Sequence, residues 1–424
     1  MVNEPRLSYE KPGRANPIFV LIVTTLLYII NYMDRTVLAA TLPLIKEDLG
    51  FSDAQLGWLG SIYFIMVAIL TIPASILVDR WSRKKALAGM AVIWSMATWF
   101  TGMGQGFGAL LHARAWVGIG EAGFAPGGLA YISGSFDEKD RAKLSGIFTL
   151  GAPLGLILGA AIGGYIAEAN VLDLGWRAPY YFFAIPGLLL GILILFTRDY
   201  TITAPREYSA GCGLLKDIGW MTKIPAFWYL TVGYGVLSIG STAVLQFMPT
   251  YFVRSRGVDV AEASSMFGFM FIFAIFGTVI AGIVADRWRN KIVNGRPLAT
   301  AVFSLISLLA TIGAFVAEQS NHHTMGYIGF TIVAATGFAV LPAVATSVMD
   351  LAPLRLRGLS LGLMVFVAYI PGGLGPSLIG WLSDVMGTPG KPDLTAAFWV
   401  IPVFFFLGTI LFFFGARSYK DSIE

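Results

Sequence analysis

The stretch SILVDRWSRK, residues 75–84, ends a long apolar run and gives the first indication of the fold. A shortened copy, GIVADRWR, ends another apolar run at residues 282–289. Each copy places an Asp-Arg-Trp triplet shortly after a small residue, Ser75 or Gly282. The pattern occurs once in each half of the sequence, so it predicts a chain built from two related halves.

The composition indicates that both halves lie in a membrane. Of the 424 residues, 56% are hydrophobic and 13% are charged, whereas a soluble domain carries about 25% charged residues. Apolar runs recur along the whole sequence, which excludes a single-span receptor, and they are continuous, which excludes a membrane barrel. The single cysteine, Cys212, excludes an intramolecular disulfide and a multi-cysteine metal site.

The apolar runs predict an all-α membrane protein with twelve transmembrane helices in two six-helix bundles. The first run contains charges and lacks a small-residue cleavage site, so we interpret it as a retained helix and not as a signal peptide. Numbered in chain order, the predicted spans are 17–44, 54–78, 86–106, 108–135, 142–167, 176–197, 226–253, 261–285, 298–317, 324–349, 358–383 and 395–416.

The distribution of basic residues predicts the orientation. Counting residues at the span ends with the adjoining loops, 22 of the 29 Lys and Arg residues lie on the side of the two termini, five lie on the opposite side, and two lie in the interior of spans. Because cytoplasmic loops carry an excess of Lys and Arg, both termini are predicted to be cytoplasmic, and the excess is not a sign of nucleic-acid binding. The five residues predicted to be external are Lys46, Arg177, Arg254, Arg256 and Lys391.

The longest break between spans covers residues 198–225 and contains Pro, Gly and several charges. It separates two halves of similar length, so we interpret it as a linker between bundles. The predicted organisation is a cytoplasmic segment at 1–16, an N-terminal six-helix bundle at 17–198, a cytoplasmic linker at 199–225, a C-terminal six-helix bundle at 226–417 and a cytoplasmic tail at 418–424.

The first copy of the repeat resembles the cytoplasmic loop signature of the major facilitator superfamily, with Ser75 and Ser82 where that family usually has glycine. With twelve spans and the repeat, the resemblance extends over residues 15–418. It implies a monomer that works by alternating access. It also implies that Asp79, Arg80 and Arg83, with the counterparts Asp286 and Arg287, form a cytoplasmic gate. Anchoring by positive charge is the alternative for the basic members.

Two segments within spans are similar to Spinster-like transporters of that superfamily: NYMDR at residues 31–35 and RAWVGIGEA at 114–122. Related organic-anion symporters and sugar-acid permeases share the first of them. Eukaryotic Spinster proteins are associated with the export of lysolipids, including lysophospholipids and sphingosine-1-phosphate. The resemblance therefore implies a lipid-like substrate. The short ends suggest a bacterial member in the inner, or plasma, membrane.

Four charged residues lie in the interior of predicted spans, away from their ends: Asp34, Arg35, Arg114 and Glu121. Each costs about 2.5–3.5 kcal/mol at mid-membrane, so such residues usually face a cavity or one another. A rise of about 1.5 Å per residue places Asp34 between the depths of Arg114 and Glu121. This favours an Asp34–Arg114 pair, with Arg35 near Glu121 or a cavity. The functional hypothesis is proton coupling, in which protonation of Asp34 frees Arg114 for an anionic head group; a static ion pair is the alternative.

Glycines recur at every fourth position of span five and predict a flat ridge for close helix packing or for sliding. The ridge consists of Gly151, Gly155, Gly159 and Gly163.

The C-terminal half has almost no charge within its spans but several tyrosines. The sequence therefore predicts a cavity in which one charged wall faces an apolar, aromatic wall.

The sequence therefore predicts a secondary, proton-coupled transporter of an amphipathic organic anion such as a lysophospholipid or a sphingolipid-like molecule. Its expected partners are that substrate and the membrane lipids. The alternatives are a sugar-acid or organic-anion symporter, a multidrug exporter and, outside transport, a membrane lipid sensor. No Walker motif and no catalytic set of residues is present in the sequence, so we expect neither an enzyme nor a cofactor, with protons as the coupling ion.

Overall fold

The structure is a computed structural model that describes residues 17–136, 138–197, 218–219, 221–353, 356–388 and 390–423. It leaves out the side chains at 79, 80, 138, 139, 142, 358 and 423. The predicted segment 1–16 and most of the predicted linker lie outside the described residues. Within the described ranges the chain is almost entirely helical, with one isolated β-bridge between Thr388 and Lys391.

The helices confirm the all-α membrane fold. Among the described residues, eleven helical segments are long and apolar enough to cross a membrane, and the remaining predicted span, the fourth, is split into two shorter helices. In the N-terminal half the helices are Pro17–Leu49, Asp53–Arg80, Arg83–Met103, Phe107–Glu121 with Phe124–Ser135, Glu138–Thr149 with Gly151–Glu168, and Ala178–Leu193. In the C-terminal half they are Pro225–Arg256, Val260–Arg289, Gly295–Gln319, His323–Asp350, Arg357–Gly373 with Gly375–Met386, and Leu394–Phe398 with Ile401–Ile423.

A proline follows each of the interruptions in spans four, five, eleven and twelve, although other spans contain a proline without a break. Proline has no N–H group, so the carbonyl four residues earlier loses its helical donor. The breaks fall shortly before Pro126, Pro153, Pro376 and Pro402. In span eleven the carbonyl freed by Pro376 is that of Gly372, and the Thr242 hydroxyl of span seven donates to it at 2.5 Å.

The final helix continues beyond the last predicted span. It begins at Ile401 and ends at Ile423, so it includes most of residues 418–424, which the sequence predicts to be a cytoplasmic tail. Tyr419 in this last part is buried, and its hydroxyl donates to the carbonyl of Ser347 in span ten at 3.0 Å. Packing against span ten therefore extends the helix beyond the apolar run that crosses the membrane.

The two halves meet at one end of the molecule, which we call the outer end because the charge distribution predicts it to be external. It carries the turns that join spans one and two and spans seven and eight. Span two packs on span eleven there, where the Ser377 N–H donates to Ser61 Oγ at 3.0 Å. Span five packs on span eight, where the Val260 N–H donates to Glu168 at 3.2 Å. Together with the bonds of Asp53 described below, these contacts join the halves at this end.

Candidate functional site

The polar segment of span one is held in place by the glycine ridge of span five. A Cβ atom added at Gly155 or Gly159 would collide with backbone atoms of Ile29 or Met33. Gly151 and Gly163 lie against the side chains of span one on either side of these contacts. The ridge thus brings span five against the back of residues 31–35 and leaves their polar side chains directed to the other helices.

Arg35 and Glu121 form the ion pair at the centre of the site. Arg35 Nε donates to Glu121 Oε2 at 3.2 Å, and the Tyr63 hydroxyl donates to the same oxygen at 2.6 Å. Arg35 also donates to Asn31 Oδ1 at 3.2 Å, and its guanidinium lies 4.0 Å from the ring centroid of Tyr32. Spans one, two and four therefore meet in one network, in which Arg35 contacts Glu121, one of the two alternatives that the sequence left open.

The predicted pair of Asp34 with Arg114 is not formed. Asp34 is fully buried and accepts a hydrogen bond from Thr98 of span three at 2.9 Å, while its other oxygen has no partner among the described residues. Arg114 is also buried, its Nε and Nη1 atoms lack hydrogen-bond partners there, and its guanidinium lies 5.6 Å from the Tyr63 ring centroid. The two charges lie in the same buried region without making contact, because Asp34 turns toward span three.

A cavity lies between the two halves, and Arg35 is its charged residue among the lining side chains. Tyr32, Phe64 and Leu156 complete the N-terminal wall. The C-terminal wall is mainly aromatic and aliphatic. Its members include Tyr234, Met248, Met270, Phe271, Phe330, Phe338 and Tyr369. The charged N-terminal wall and apolar C-terminal wall expected from the sequence are thus both present.

Three hydroxyl residues on the C-terminal wall are already bonded within that wall. Ser238 and Ser241 donate to the carbonyls of Tyr234 and Leu237 at 2.6 and 3.2 Å, and Thr242 donates to that of Gly372 at 2.5 Å. A hydroxyl has one proton to donate. This wall therefore offers few free donors to a bound molecule.

The predicted cytoplasmic gate is described only in part, since the side chains of Asp79 and Arg80 lie outside the described residues. Arg83 is buried at the start of span three. Asp286 is paired with Arg296, which also contacts Asp350, so this network stays within the C-terminal half. Arg287 is exposed beside it.

The outer end contains an ion-pair network around Asp53 that the sequence analysis missed. The Asp53 carboxylate is buried and accepts hydrogen bonds from Lys46, from Ser383 and, through two nitrogens at 2.6 and 2.8 Å, from Arg254. Asp384 of span eleven accepts the N–H groups of Asp53 and its neighbour at 3.0 and 2.8 Å. Because these bonds link the halves, they close the outer end.

A signal for this network was present in the sequence. Four of the five basic residues predicted to be external take part in ion pairs: Lys46 and Arg254 with Asp53, Arg177 with Asp48, and Arg256 with Glu318. Positive charge is uncommon on that side of a membrane protein. The buried acidic partners of such residues, Asp53 and Glu318, are therefore candidate structural or gating groups. Glu318 is also a buried charge in the half that was expected to have almost none.

Comparison with known proteins agrees with this architecture. Residues 24–376 match the model of the Major Facilitator Superfamily. The hexuronate transporter of Bacillus subtilis is 28% identical over 87% of this chain and 88% of its own. The sphingosine-1-phosphate transporter of Mus musculus is 26% identical over 92% of this chain and 76% of its own.

A solved structure shows the same fold. It is a bacterial homologue of the human lysosomal transporter Spinster in an inward-facing, unoccupied conformation, with a TM-score of 0.83 and 24% identity over 97% of this chain and 99% of that chain. The family match covers most of the sequence, including the first copy of the repeat and both charged segments. The chain therefore belongs to the major facilitator superfamily of membrane transporters.

Proposed function

We propose that the protein is a secondary, proton-coupled transporter of an amphipathic organic anion, such as a lysophospholipid or a sphingolipid-like molecule. The observation that carries this proposal is the asymmetry of the cavity. Arg35 supplies a cation on one wall, and the opposite wall supplies apolar and aromatic surface. An anionic head group suits the first wall and an alkyl chain suits the second.

Proton coupling is assigned to the two buried carboxylates, Glu121 and Asp34. Glu121 is the counter-ion of Arg35, so a proton on Glu121 removes the charge that holds the guanidinium away from a substrate. Asp34 is buried with one oxygen lacking a partner among the described residues, which makes it the second proton carrier. Intramembrane carboxylates of this kind mark proton relays in transporters. A cation freed by protonation gives the difference in substrate affinity that coupling requires.

The conformation supports alternating access. The outer end is closed by the network around Asp53 and by the contacts of spans five and eight. We infer an inward-facing state, in which the cavity exchanges with the cytoplasmic side. Opening of the other side requires the rocking of one half against the other. As a proposal, the protein acts as a monomer in a bacterial plasma membrane.

A sugar-acid or organic-anion symporter is the second candidate. The similarity to a hexuronate transporter favours it, and so do the two tyrosines, Tyr234 and Tyr369, that line the cavity opposite Arg35. Hydrophilic substrates need donors and acceptors on both walls. The internally bonded hydroxyls of the C-terminal wall favour the amphipathic anion over the sugar acid.

The test is proton flux in sealed proteoliposomes that contain a pH-sensitive dye. A lysophospholipid and a panel of sugar acids are added in parallel to the wild type and to Glu121→Gln and Asp34→Asn. Asp48→Asn is the matched control, because Asp48 also lies in the helix of span one but is exposed and paired with Arg177 outside the cavity. We expect lysophospholipid-dependent proton movement in the wild type and the control and its loss in the other two variants.

Each other outcome contradicts a defined part of the proposal. Proton movement with sugar acids alone would contradict the lipid substrate and favour the symporter. Substrate uptake without proton movement would contradict the coupling and indicate a facilitator or another driving ion. Full coupling in Asp34→Asn would remove Asp34 from the mechanism and leave it as a buried structural group.

A further inference from the structure

Tyr63 of span two lies at the centre of the charged cluster, although nothing in the sequence distinguishes it from the other aromatic residues of the chain. It is 2% exposed. Its ring centroid is 5.5 Å from the Arg35 guanidinium and 5.6 Å from that of Arg114, within the range of cation–π attraction. Its hydroxyl donates to Glu121 Oε2 at 2.6 Å. One side chain therefore lies within cation–π range of both guanidinium groups and donates a hydrogen bond to Glu121.

The two oxygens of Glu121 have different surroundings. Oε2 accepts both the Tyr63 hydroxyl and Arg35 Nε, whereas Oε1 is buried and has no hydrogen-bond partner among the described residues. A proton can therefore bind Oε1 without displacing either donor. Neutral Glu121 can still accept the bond from Tyr63, but its attraction for the Arg35 guanidinium falls, because charge-assisted hydrogen bonds are about twice as strong as neutral ones.

The backbone of Tyr63 is fixed on both sides. A Cβ atom added at Gly118 of span four would lie within 2.6 Å of the Tyr63 carbonyl oxygen, so the two helices are in direct contact there. The next residue, Phe64, packs its ring at 5.0 Å from that of Tyr63 and touches Gly373 of span eleven in the other half. Tyr63 thus connects the carboxylate to the helix that meets the other half.

We propose that Tyr63 is a positioning residue for proton coupling. Its hydroxyl holds Glu121 Oε2 beside Arg35, so that Oε1 takes the proton and Arg35 is released to bind the anionic group of the substrate. This inference rests on the proposed function, in which Glu121 carries a coupling proton. Span three packs on span four beside Glu121, where the backbone of Trp94 lies against Gly120. The charged or titratable groups around Glu121 are Asp34 and Arg35 of span one, Tyr63 of span two and Arg114 of span four.

The test is the pH dependence of transport in Tyr63→Phe, which keeps the ring and loses the hydroxyl. The lost hydrogen bond stabilises the charged carboxylate more than the neutral one, so protonation becomes easier. We expect the pH of half-maximal transport to rise by about one unit. The matched control is Tyr131→Phe, since the Tyr131 hydroxyl makes a bond of the same length, 2.6 Å, to the uncharged Thr197. The control should not move the profile.

A second measurement covers the case in which Tyr63→Phe does not transport. The infrared carbonyl band of protonated Glu121, identified as the band missing in Glu121→Gln, is titrated against pH in the purified protein. A midpoint that rises in Tyr63→Phe supports the positioning role even without transport. An unchanged midpoint overturns it.

The double variant that combines Glu121→Gln with Tyr63→Phe distinguishes a failure of this inference from a failure of the proposed function. In the Glu121→Gln background, Tyr63→Phe should cause no additional shift in the transport profile. If Glu121→Gln keeps the wild-type pH profile, the proposed coupling through Glu121 fails. If Glu121→Gln loses the pH dependence but Tyr63→Phe leaves it unchanged, the coupling stands and only the role of Tyr63 is overturned.

Discussion

The two walls of the central cavity use their polar side chains in opposite ways. On the N-terminal wall, Arg35 reaches across to Glu121, and a proton or an anion can change that pair. On the C-terminal wall, hydroxyls such as those of Ser241 and Thr242 donate to carbonyls within the wall and are not free to respond. The N-terminal half therefore supplies the charged side chain of the cavity, and the C-terminal half supplies a mainly apolar surface.

The helices behind the two walls differ in the same sense. Span one is held at close range by the ridge that includes Gly155 and Gly159, which fixes the position of its charges. Span eleven is interrupted before Pro376, and Thr242 satisfies the carbonyl that the interruption frees. Buried charges must be held close to their partners because an unpaired charge in the membrane is costly, and a carbonyl freed by a helix break needs a new donor there.

The largest effect is expected on the charged wall. Arg35→Gln removes the cavity cation and leaves Glu121 buried without its ionic partner, so lysophospholipid transport should fall about 100-fold. Arg35→Lys keeps the charge but loses the planar contact with Tyr32 and should give an intermediate value. Uptake into proteoliposomes measures both. An equal loss for an uncharged lysolipid analogue would show that Arg35 supports the structure and does not select the anion.

The second-largest effect is expected at the outer end, where the network around Asp53 joins the two halves. Asp53→Asn weakens the bonds to Lys46 and Arg254 by about 2 kcal/mol, so the outward-open population should rise roughly 30-fold. The measurement is labelling by a membrane-impermeant maleimide at Ser61→Cys, a buried interface position, after the single cysteine is replaced in Cys212→Ser. Equal labelling rates with and without the Asp53→Asn substitution would show that this network does not hold the end closed.

The third prediction compares the stability of two variants, each with valine in place of a glycine behind one of the walls. Gly155→Val places a side chain against the backbone of Ile29 and should destabilise the protein by about 1–3 kcal/mol. Gly362→Val is the control, because nothing lies within 4 Å of the Cβ position at Gly362 in span eleven. Thermal unfolding of the purified proteins in detergent tests the difference. Similar melting temperatures for the two variants would contradict the role of the ridge.

The smallest effect is expected on the C-terminal wall. The Ser241 hydroxyl donates to Leu237 within its own helix, so Ser241→Ala should change lysophospholipid transport by less than about twofold. The measurement is the KM of the best substrate in Ser241→Ala, compared with that of the wild type. A loss of roughly tenfold, the value of one lost hydrogen bond to a polar substrate, would favour a sugar acid over an amphipathic anion.

The sequence alone predicted much of the fold because its signals are local. Each apolar run must form a helix in a membrane, where backbone groups have no water to bond. The charged residues within spans were also visible, since charge is rare there. The sequence also contains a signal for the break in span four, because Pro126 lacks the N–H group that the carbonyl of Ala122 would accept in a helix. The apolar run 108–135 nevertheless predicts one continuous span. The break directly follows Glu121, so it belongs to the site.

The pairing of the charges could not be predicted. Asp34 and Arg35 are neighbours on one helix and point about 100° apart, so a small rotation of span one decides which of them reaches span four. The contact with the ridge of span five sets that rotation, and it directs Arg35 to Glu121 and Asp34 to Thr98. The sequence does not predict a role for Tyr63 either, because a single tyrosine in an apolar run forms no recognisable motif.

The sequence by itself determined the helical membrane fold, the division into two related halves and the set of buried charges, because hydropathy and charge act over short stretches of chain. Only the tertiary structure decided which charges pair, which end of the molecule is closed and which tyrosine holds Glu121. Those outcomes depend on the rotation and depth of helices that are far apart in sequence, and close contacts between their backbones set both.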